Sequence, residues 1–297
     1  MACRIWRSTA AFVVLMAALP LMASCESAST APPPSASEST HGPITAEVNQ
    51  SRDQYGKQAI LIQLTNATDT PLSVSGAELA SDLFNGAIIW TPADGTLELP
   101  PRQPKSLPAK LPGAACAGQF QGATAMATVH YADAGGNEHQ TTIEAGDPFK
   151  VLQRNSEELC LATAAAAVAT MVLAPDLDIA ADRKTAVVQL VVTPAAPAGE
   201  TKTLTIESVD GTTLLAEEPT DPWPRNVTIT PGSGLRVLPL RIRPARCDPH
   251  AVAEDKVGTL LPLRVAVGDR KGVLKIAAST ELRGRIYDFV TAACQDV

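Results

Sequence analysis

From Ile44 onward the chain alternates hydrophobic and polar positions with a period of two. In "ITAEV", Ile44, Ala46 and Val48 fall on one side. In "KQAILIQLTN", Ile60, Ile62 and Leu64 fall on one side and Ala59, Leu61, Gln63 and Thr65 on the other. Successive strand side chains point to opposite faces, so this is the pattern of half-buried strands. "NATDTP" (Asn66 to Pro71) reads as a turn, after which "LSVSGAEL" resumes the alternation. "PADG" and "PPRQPKSLPAKLPG" are further breaks whose prolines forbid helix. "QGATAMATVHYADAGGNEHQTTIEA" predicts a hairpin around an Ala-Gly-Gly-Asn turn.

The pattern changes near Phe149. "NSEELC" has the form of a helix start, with Asn155 or Ser156 as the capping residue before Glu157 and Glu158. The run "LATAAAAVATMVLA" (Leu161 to Ala174) fits helix or strand equally. Strand-like segments then return, from "KTAVVQLVVTP" to "GVLKIAAS". Ile286, Phe289, Val290 and Ala293 recur at helical spacing, which predicts a short C-terminal helix carrying Cys294. The expected fold is mainly all-β: two tandem Ig-like β-sandwich domains, 44–148 and 149–297, with short helices at the margins of the second.

The N-terminus is written differently. Arg4 and Arg7 precede an apolar stretch from Ala10 to Leu19, and Ala23 and Ser24 stand directly before Cys25. A basic region, a short apolar core and a small-residue cleavage site define a secretory signal over residues 1–24. The apolar core is shorter than the ~20 residues a membrane-spanning helix needs. "LMASC" resembles the lipobox of bacterial lipoproteins, with Met22 where Leu is usual. The resemblance implies cleavage before Cys25, a diacylglyceryl group on its thiol and a further acyl chain, such as palmitate, on its amine. Residues 25–43 are rich in Ser, Thr, Ala, Pro and Glu. They bury too little apolar surface to fold, and they read as a disordered tether. The alternative is ordinary cleavage and a secreted chain.

Charge and cysteine count narrow the classes. Of 24 basic residues, loss of Arg4 and Arg7 leaves 22 against 31 acidic ones, a mature net charge of −9. An acidic chain without a basic cluster argues against nucleic acid, whose binding rests on Lys and Arg at phosphates. Six cysteines are present. Cys3 leaves with the signal; lipidation of Cys25 leaves Cys116, Cys160, Cys247 and Cys294, an even set that can pair outside the cytoplasm. Three connectivities are possible, of which Cys116–Cys160 and Cys247–Cys294 close the shorter loops and are preferred. Asn66-Ala-Thr68 and Asn226-Val-Thr228 match glycosylation sequons, incidental in a bacterial envelope.

Three segments carry candidate chemistry. In "RPARCDPHAVAEDKVGT", Asp248 and Pro249 suit a helix start, and a helix from Pro249 to Asp255 sets His250 and Glu254 on one face. That pair offers two metal ligands or an oriented base, with no third ligand close in sequence. In the hairpin, a two-residue turn places His130 and His139 on one side of the sheet together with Met126 and Thr128, a set that suits copper. In "GLRVLPLRIRPAR", Arg241 and Arg243 share a strand face with Arg246 just beyond, and they offer bidentate contacts to an acidic ligand.

The segment Arg246 to Thr259 resembles a group of secreted proteins and lipoproteins of actinobacteria that share Arg-Cys-Asp-Pro-His-Ala-x-Ala-Glu-Asp-Lys-x-Gly-Thr. The likeness extends to "LTNATDTPLSV" and to the positions of Cys116 and Cys294. It implies an envelope address and no particular activity. No nucleophile elbow, phosphate-binding Gly-Lys loop or His-Glu-x-x-His is present. The sequence therefore points to a non-catalytic, lipid-anchored binding or structural protein outside the cytoplasmic membrane, with no cofactor. Its partner is an envelope protein or a small ligand. The competing reading is envelope handling of copper or zinc by His130, His139 and Met126, or by His250 and Glu254.

Overall fold

The alternating segments form the strands that their period predicts, arranged around two separate cores. The computed structural model describes residues 42–117, 124–197 and 202–295, all within the compact unit His41–Val297. The segment expected to be a signal sequence, Cys25 and the expected tether as far as His41 lie outside the described residues. Among the described residues, no helix is long and apolar enough to cross a membrane.

The first lobe contains β1 (Ile44–Asn49), α1 (Arg52–Tyr55), β2 (Ala59–Asn66), β3 (Leu72–Ser81), β4 (Ile88–Trp90), β5 (Leu97–Leu99), β6 (Pro104–Lys110), β7 (Ala125–Ala132) and β8 (Glu138–Gly146). They make one sheet in the order β4-β3-β7-β8-β1-β2-β6, with β5 also on β3. All pairs are antiparallel except β1 with β8. The sheet folds back so that β4 packs against β6 and β2 against β3 and β5. Ile44, Val48, Ile60, Ile62, Leu64, Leu79 and Val129 fill the space between, each at most 1% exposed.

The proline-rich stretch read as a break contains strand β6. Leu111 N–H donates to the Gln58 carbonyl, and β6 pairs with β2 in the same register. Odd-numbered residues therefore turn their backbone groups toward β2, and Pro104 and Pro108 fall on the outward, unpaired side. A proline at those positions removes no ladder bond, so an edge strand tolerates it.

The second lobe is a sandwich of two four-stranded antiparallel sheets. Its strands are β9 (Ala169–Ile179), β10 (Ala186–Pro194), β11 (Leu204–Val209), β12 (Leu215–Glu217), β13 (Val227–Ile229), β14 (Arg236–Pro244), β15 (Leu260–Val267) and β16 (Arg270–Ala277). The sheet orders are β12-β14-β10-β9 and β13-β11-β15-β16. The helices are α2 (Val151–Ala166), α3 (Pro249–Ala253) and α4 (Thr280–Ala293). In α4 the positions Ile286, Phe289, Val290 and Ala293 are buried as their spacing predicts, with Leu282, and Ser279 caps the helix through the Leu282 N–H. The mainly β, sandwich-type class expected from the sequence is the class observed.

Helix α2 starts four residues before the expected cap. Asp147 accepts the Val151 and Leu152 N–H groups at 2.7 and 2.9 Å, so it caps the helix from outside its last non-helical residue, Lys150. Asn155 and Ser156 lie inside the helix, buried, and they hydrogen-bond to Val151 O and Leu83 O. The Ala-rich run is both helix and strand: α2 ends at Ala166 and β9 begins at Ala169. Val151 and Leu152 belong to the first core, and Leu161 and Ala165 to the second.

Both disulfides are present with the preferred pairing, Cys116–Cys160 and Cys247–Cys294, closing separations of 44 and 47 residues. Loops of that length gain roughly 3–4 kcal/mol each by restricting the unfolded chain. Two disulfides belong to an oxidising compartment.

The turn after β2 is organised by Asn66, which is fully buried. Its amide nitrogen donates to Thr70 O at 2.8 Å and Leu99 O at 3.0 Å, and its oxygen accepts from Thr68 N–H and Oγ1. Every bond the amide nitrogen offers is in use, so the Asn66 sequon has no free amide in the folded chain. Asn66→Ala is expected to cost about 2–3 kcal/mol, because it strands several buried groups. Urea unfolding of the variant measures this, and a loss under ~0.5 kcal/mol would contradict the role.

Candidate functional site

The hairpin histidines are not brought together. β7 and β8 pair Tyr131 with His139 and His130 with Gln140. The loop between them has three residues, Ala134 to Gly136: Asp133 N–H donates to Asn137 O, Gly136 N–H to Asp133 O, and Gly136 has φ +80°. A three-residue loop of this kind shifts the register by one relative to a two-residue turn, and a one-residue shift exchanges faces. His130, Thr128 and Met126 therefore share the outer face, while His139 shares the opposite face with Tyr131. The expectation that both imidazoles lie on one side fails, and with it the geometry of the copper set. His139 instead stacks on Tyr131, centroids 5.4 Å apart, and Nε2 lies 3.0 Å from Asp133 Oδ2. His139, followed by Asn137, holds the Asp133 carboxyl well below the usual carboxylate range.

The segment Arg246 to Thr259 is a structural clasp. Asp248 caps α3 through the His250 N–H, and Cys247 is in its disulfide. The helix ends at Ala253, two residues earlier than expected, so Glu254 is its terminal cap and donates N–H to His250 O. His250 and Glu254 are both exposed. Among the described residues no three His, Cys, Asp or Glu side chains gather as a metal site.

Asp255, which the sequence reading passed over, does the organising. It is released from the helix and accepts from Gly258 N–H (2.8 Å), Tyr287 Oη (2.8 Å) and Thr213 Oγ1. Gly258 is packed so closely on Leu214 and Asp255 that a Cβ there would overlap both. The motif thus ties the β11–β12 loop to α4. Burial and the Asp255 contact push the Tyr287 phenol up to about 12.

Of the arginine series, Arg241 Nε pairs with Asp221 at 2.8 Å, and the Arg241 carbonyl accepts from buried Trp223 Nε1 at 2.7 Å. Beside it, Arg225 forks onto Glu217 at 3.0 and 2.9 Å and keeps that carboxyl depressed. These contacts hold a strand face rather than leave it open for a ligand.

A cleft of about 420 Å³ lies between the lobes along one face of α2. Asn155, Glu158, Leu159, Ala162 and Ala166 recur at helical spacing along it, and consecutive residues Val273 to Ala277 of β16 form the facing wall. Tyr55 of α1 and Gly56 to Gln58 after it also line the cleft. Tyr55 carries the Lys275 ammonium 4.9 Å from its ring centroid and the Arg154 guanidinium at 5.7 Å. Lys275 Nζ meets both Glu158 oxygens at 2.8 and 2.7 Å. Gln50 and Asn155 exchange side-chain hydrogen bonds at 3.1 Å. None of these residues was a sequence candidate. Their partners are 99 to 220 residues apart in the chain, and no local spacing signals them.

No protein-family model matches the chain, and no curated protein matches it. Among solved structures, the YadV chaperone aligns at 14% identity over 79% of this chain and 98% of its own, with a TM-score of 0.22. The E. coli chaperone DraB aligns at 13% identity over 80% of this chain and 98% of its own, TM-score 0.21. The exo-chitosanase CsxA of Amycolatopsis orientalis aligns at 12% identity over 78% of this chain but only 26% of its own, TM-score 0.21. At these TM-scores the likenesses carry no argument; the fold assignment rests on the sheets.

The clasp has a pH signature. Tyr287 binds its proton more tightly folded than unfolded, where phenols titrate near ~10. Its contribution is full below that value and is lost as pH rises toward about 12. Tyr287→Phe is expected to flatten the decline of the unfolding midpoint across this window, read by denaturation from pH 9 to 12. Parallel pH curves for the two proteins would overturn the assignment.

Proposed function

We propose that this chain is a non-catalytic binding protein of the bacterial cell envelope, anchored to the outer face of the membrane by acylation of Cys25. The observation that carries the reading is the cysteine pairing. Both disulfides form within the folded unit and use four of the six cysteines, leaving Cys3 inside the signal and Cys25 at its lipobox. Two or three acyl chains at ~0.8 kcal/mol per buried methylene hold a protein to a bilayer where one chain does not.

The non-catalytic part rests on what the reactive-looking groups do. Asp133 and His139 lock a hairpin tip, Asp248 caps a helix, Asp255 binds a tyrosine, a threonine and a glycine N–H, and Glu158 neutralises Lys275. The cleft between the lobes, lined by Lys57, Glu158, Lys275 and several alanines, offers a site for a partner.

Intact mass spectrometry of the full-length protein, purified from its host's envelope, tests this reading. A chain beginning at Cys25, carrying an acyl-sized increment and lacking four hydrogens, is the expected result. An unmodified chain beginning elsewhere would show a secreted protein and remove the anchor.

A further inference from the structure

Three aspartates of this chain stand directly before a proline: Asp147–Pro148, Asp221–Pro222 and Asp248–Pro249. Such a bond is labile in acid, because the aspartic carboxyl can attack its own main-chain carbonyl and the departing proline nitrogen is a strong base once released. Where each carboxyl is held decides whether the folded chain keeps that lability. Both oxygens of Asp147 accept N–H groups further along the chain, from Val151 and Leu152 at 2.7 and 2.9 Å. Asp221 is turned to the Arg241 guanidinium at 2.8 Å. Asp248 differs. It is exposed, and its Oδ1 accepts the His250 N–H at 3.0 Å. The ring closed by that hydrogen bond contains the Asp248 carbonyl carbon and the Pro249 nitrogen, so the carboxyl is folded back over the bond it can break.

The carbonyl under attack is engaged as well. Val252 N–H donates to Asp248 O at 3.1 Å, at the start of α3. A donor on that oxygen steadies the negative charge it gains as the carbon is attacked. Pro249 takes the first helical position, and its nitrogen carries no hydrogen, so cleavage forfeits no bond made by that atom. Cleavage also leaves the two pieces together. Cys247, one residue before the bond, is joined to Cys294 in the piece beyond it. β15 of that piece pairs with β11, and Asp255 accepts from Thr213 across the cut.

We propose that Asp248–Pro249 is a self-cleavage site of the folded chain. An oxygen of the Asp248 carboxylic acid attacks the Asp248 carbonyl carbon, the C–N bond to Pro249 breaks, and the acid proton passes to the proline nitrogen. The cyclic anhydride left on Asp248 takes up one water and becomes two carboxyls. The product is a nicked chain whose second piece begins with the Pro249 amine and stays attached through Cys247–Cys294. A single self-cleavage turns over no substrate, so the site is compatible with the non-catalytic reading and does not depend on the anchor.

The test holds the full chain, purified in detergent, at about pH 4, where aspartic carboxyls are part protonated. Circular dichroism checks that it stays folded, and if it does not, the lowest pH with a native spectrum is used. A second sample is held at the same pH in guanidinium chloride. Intact mass is read before and after the disulfides are reduced. In guanidinium chloride all three Asp–Pro bonds are expected to break at comparable rates. In the folded chain Asp248–Pro249 is expected to break about tenfold or more faster than the other two, since only there is the carboxyl held at its own peptide bond. The mass then rises by one water, and only reduction releases a piece beginning at Pro249. Asp248→Asn keeps an oxygen for the cap and loses the acid, so it is expected to fold and stay whole. The ratio of the three rates in unaltered protein carries the test without that variant. A folded chain that stays uncut overturns the proposal. So does cleavage at Asp147–Pro148 or Asp221–Pro222 at a comparable rate, or cleavage of Asp248→Asn at the same bond.

Discussion

Helix α2 is the constraint on which the molecule depends, because one continuous element is buried in two cores. Its first turn inserts Val151 and Leu152 among the strands of the first lobe, and its later turns insert Leu161 and Ala165 into the second. Rigid helical geometry then fixes the spacing between the cores: from Val151 to Ala165 is fourteen residues, roughly 21 Å of axis. Everything at the lobe boundary reinforces this one helix. Asp147 satisfies its first N–H groups, Cys160 is bonded to Cys116 of the first lobe, and Glu158 reaches Lys275 of the second. The cleft follows from the same helix, since small side chains at Ala162 and Ala166 leave space that larger residues would fill.

Secondary structure was legible wherever one face is buried and the other is wet. β1, β2 and α4 show this position by position, because the period of the sequence and the period of the element agree. Legibility failed where the deciding contact is distant or belongs to the loop. The α2 cap comes from Asp147, outside the local helical pattern, so Asn155 and Ser156 looked like caps while serving as buried internal polar groups. The hairpin register turned on one residue of loop length, and alternation alone does not report which face each strand end presents. β6 hid behind prolines whose orientation only the pairing reveals. The clasp around Asp255 was dense enough to attract notice as a capped helix beside a disulfide, with His250 and Glu254 as candidate ligands, but Asp255 itself carried no local signal. Only the Tyr287 and Gly258 contacts reveal its part.

The polar inventory is consistent with a molecule built for shape. Among the described residues, every buried side-chain nitrogen and oxygen has a partner. Such satisfaction stabilises a unique arrangement, since each unmet group would cost ~1–3 kcal/mol. The two lobes manage their sheet edges differently: proline guards β6, whereas β16 ends its sheet beside the cleft.

The position of β1 sets how the first sheet would respond to a pull on the chain entering it. Chain arriving at Gly42 runs straight into β1, which lies between β2 on one side and β8 on the other. A pull on Gly42 directed along β1 would load the pairings with β2 and β8 in shear instead of opening them one bond at a time. The point of entry is thus the interior of the first sheet, and traction on it is shared at once with β2 and β8.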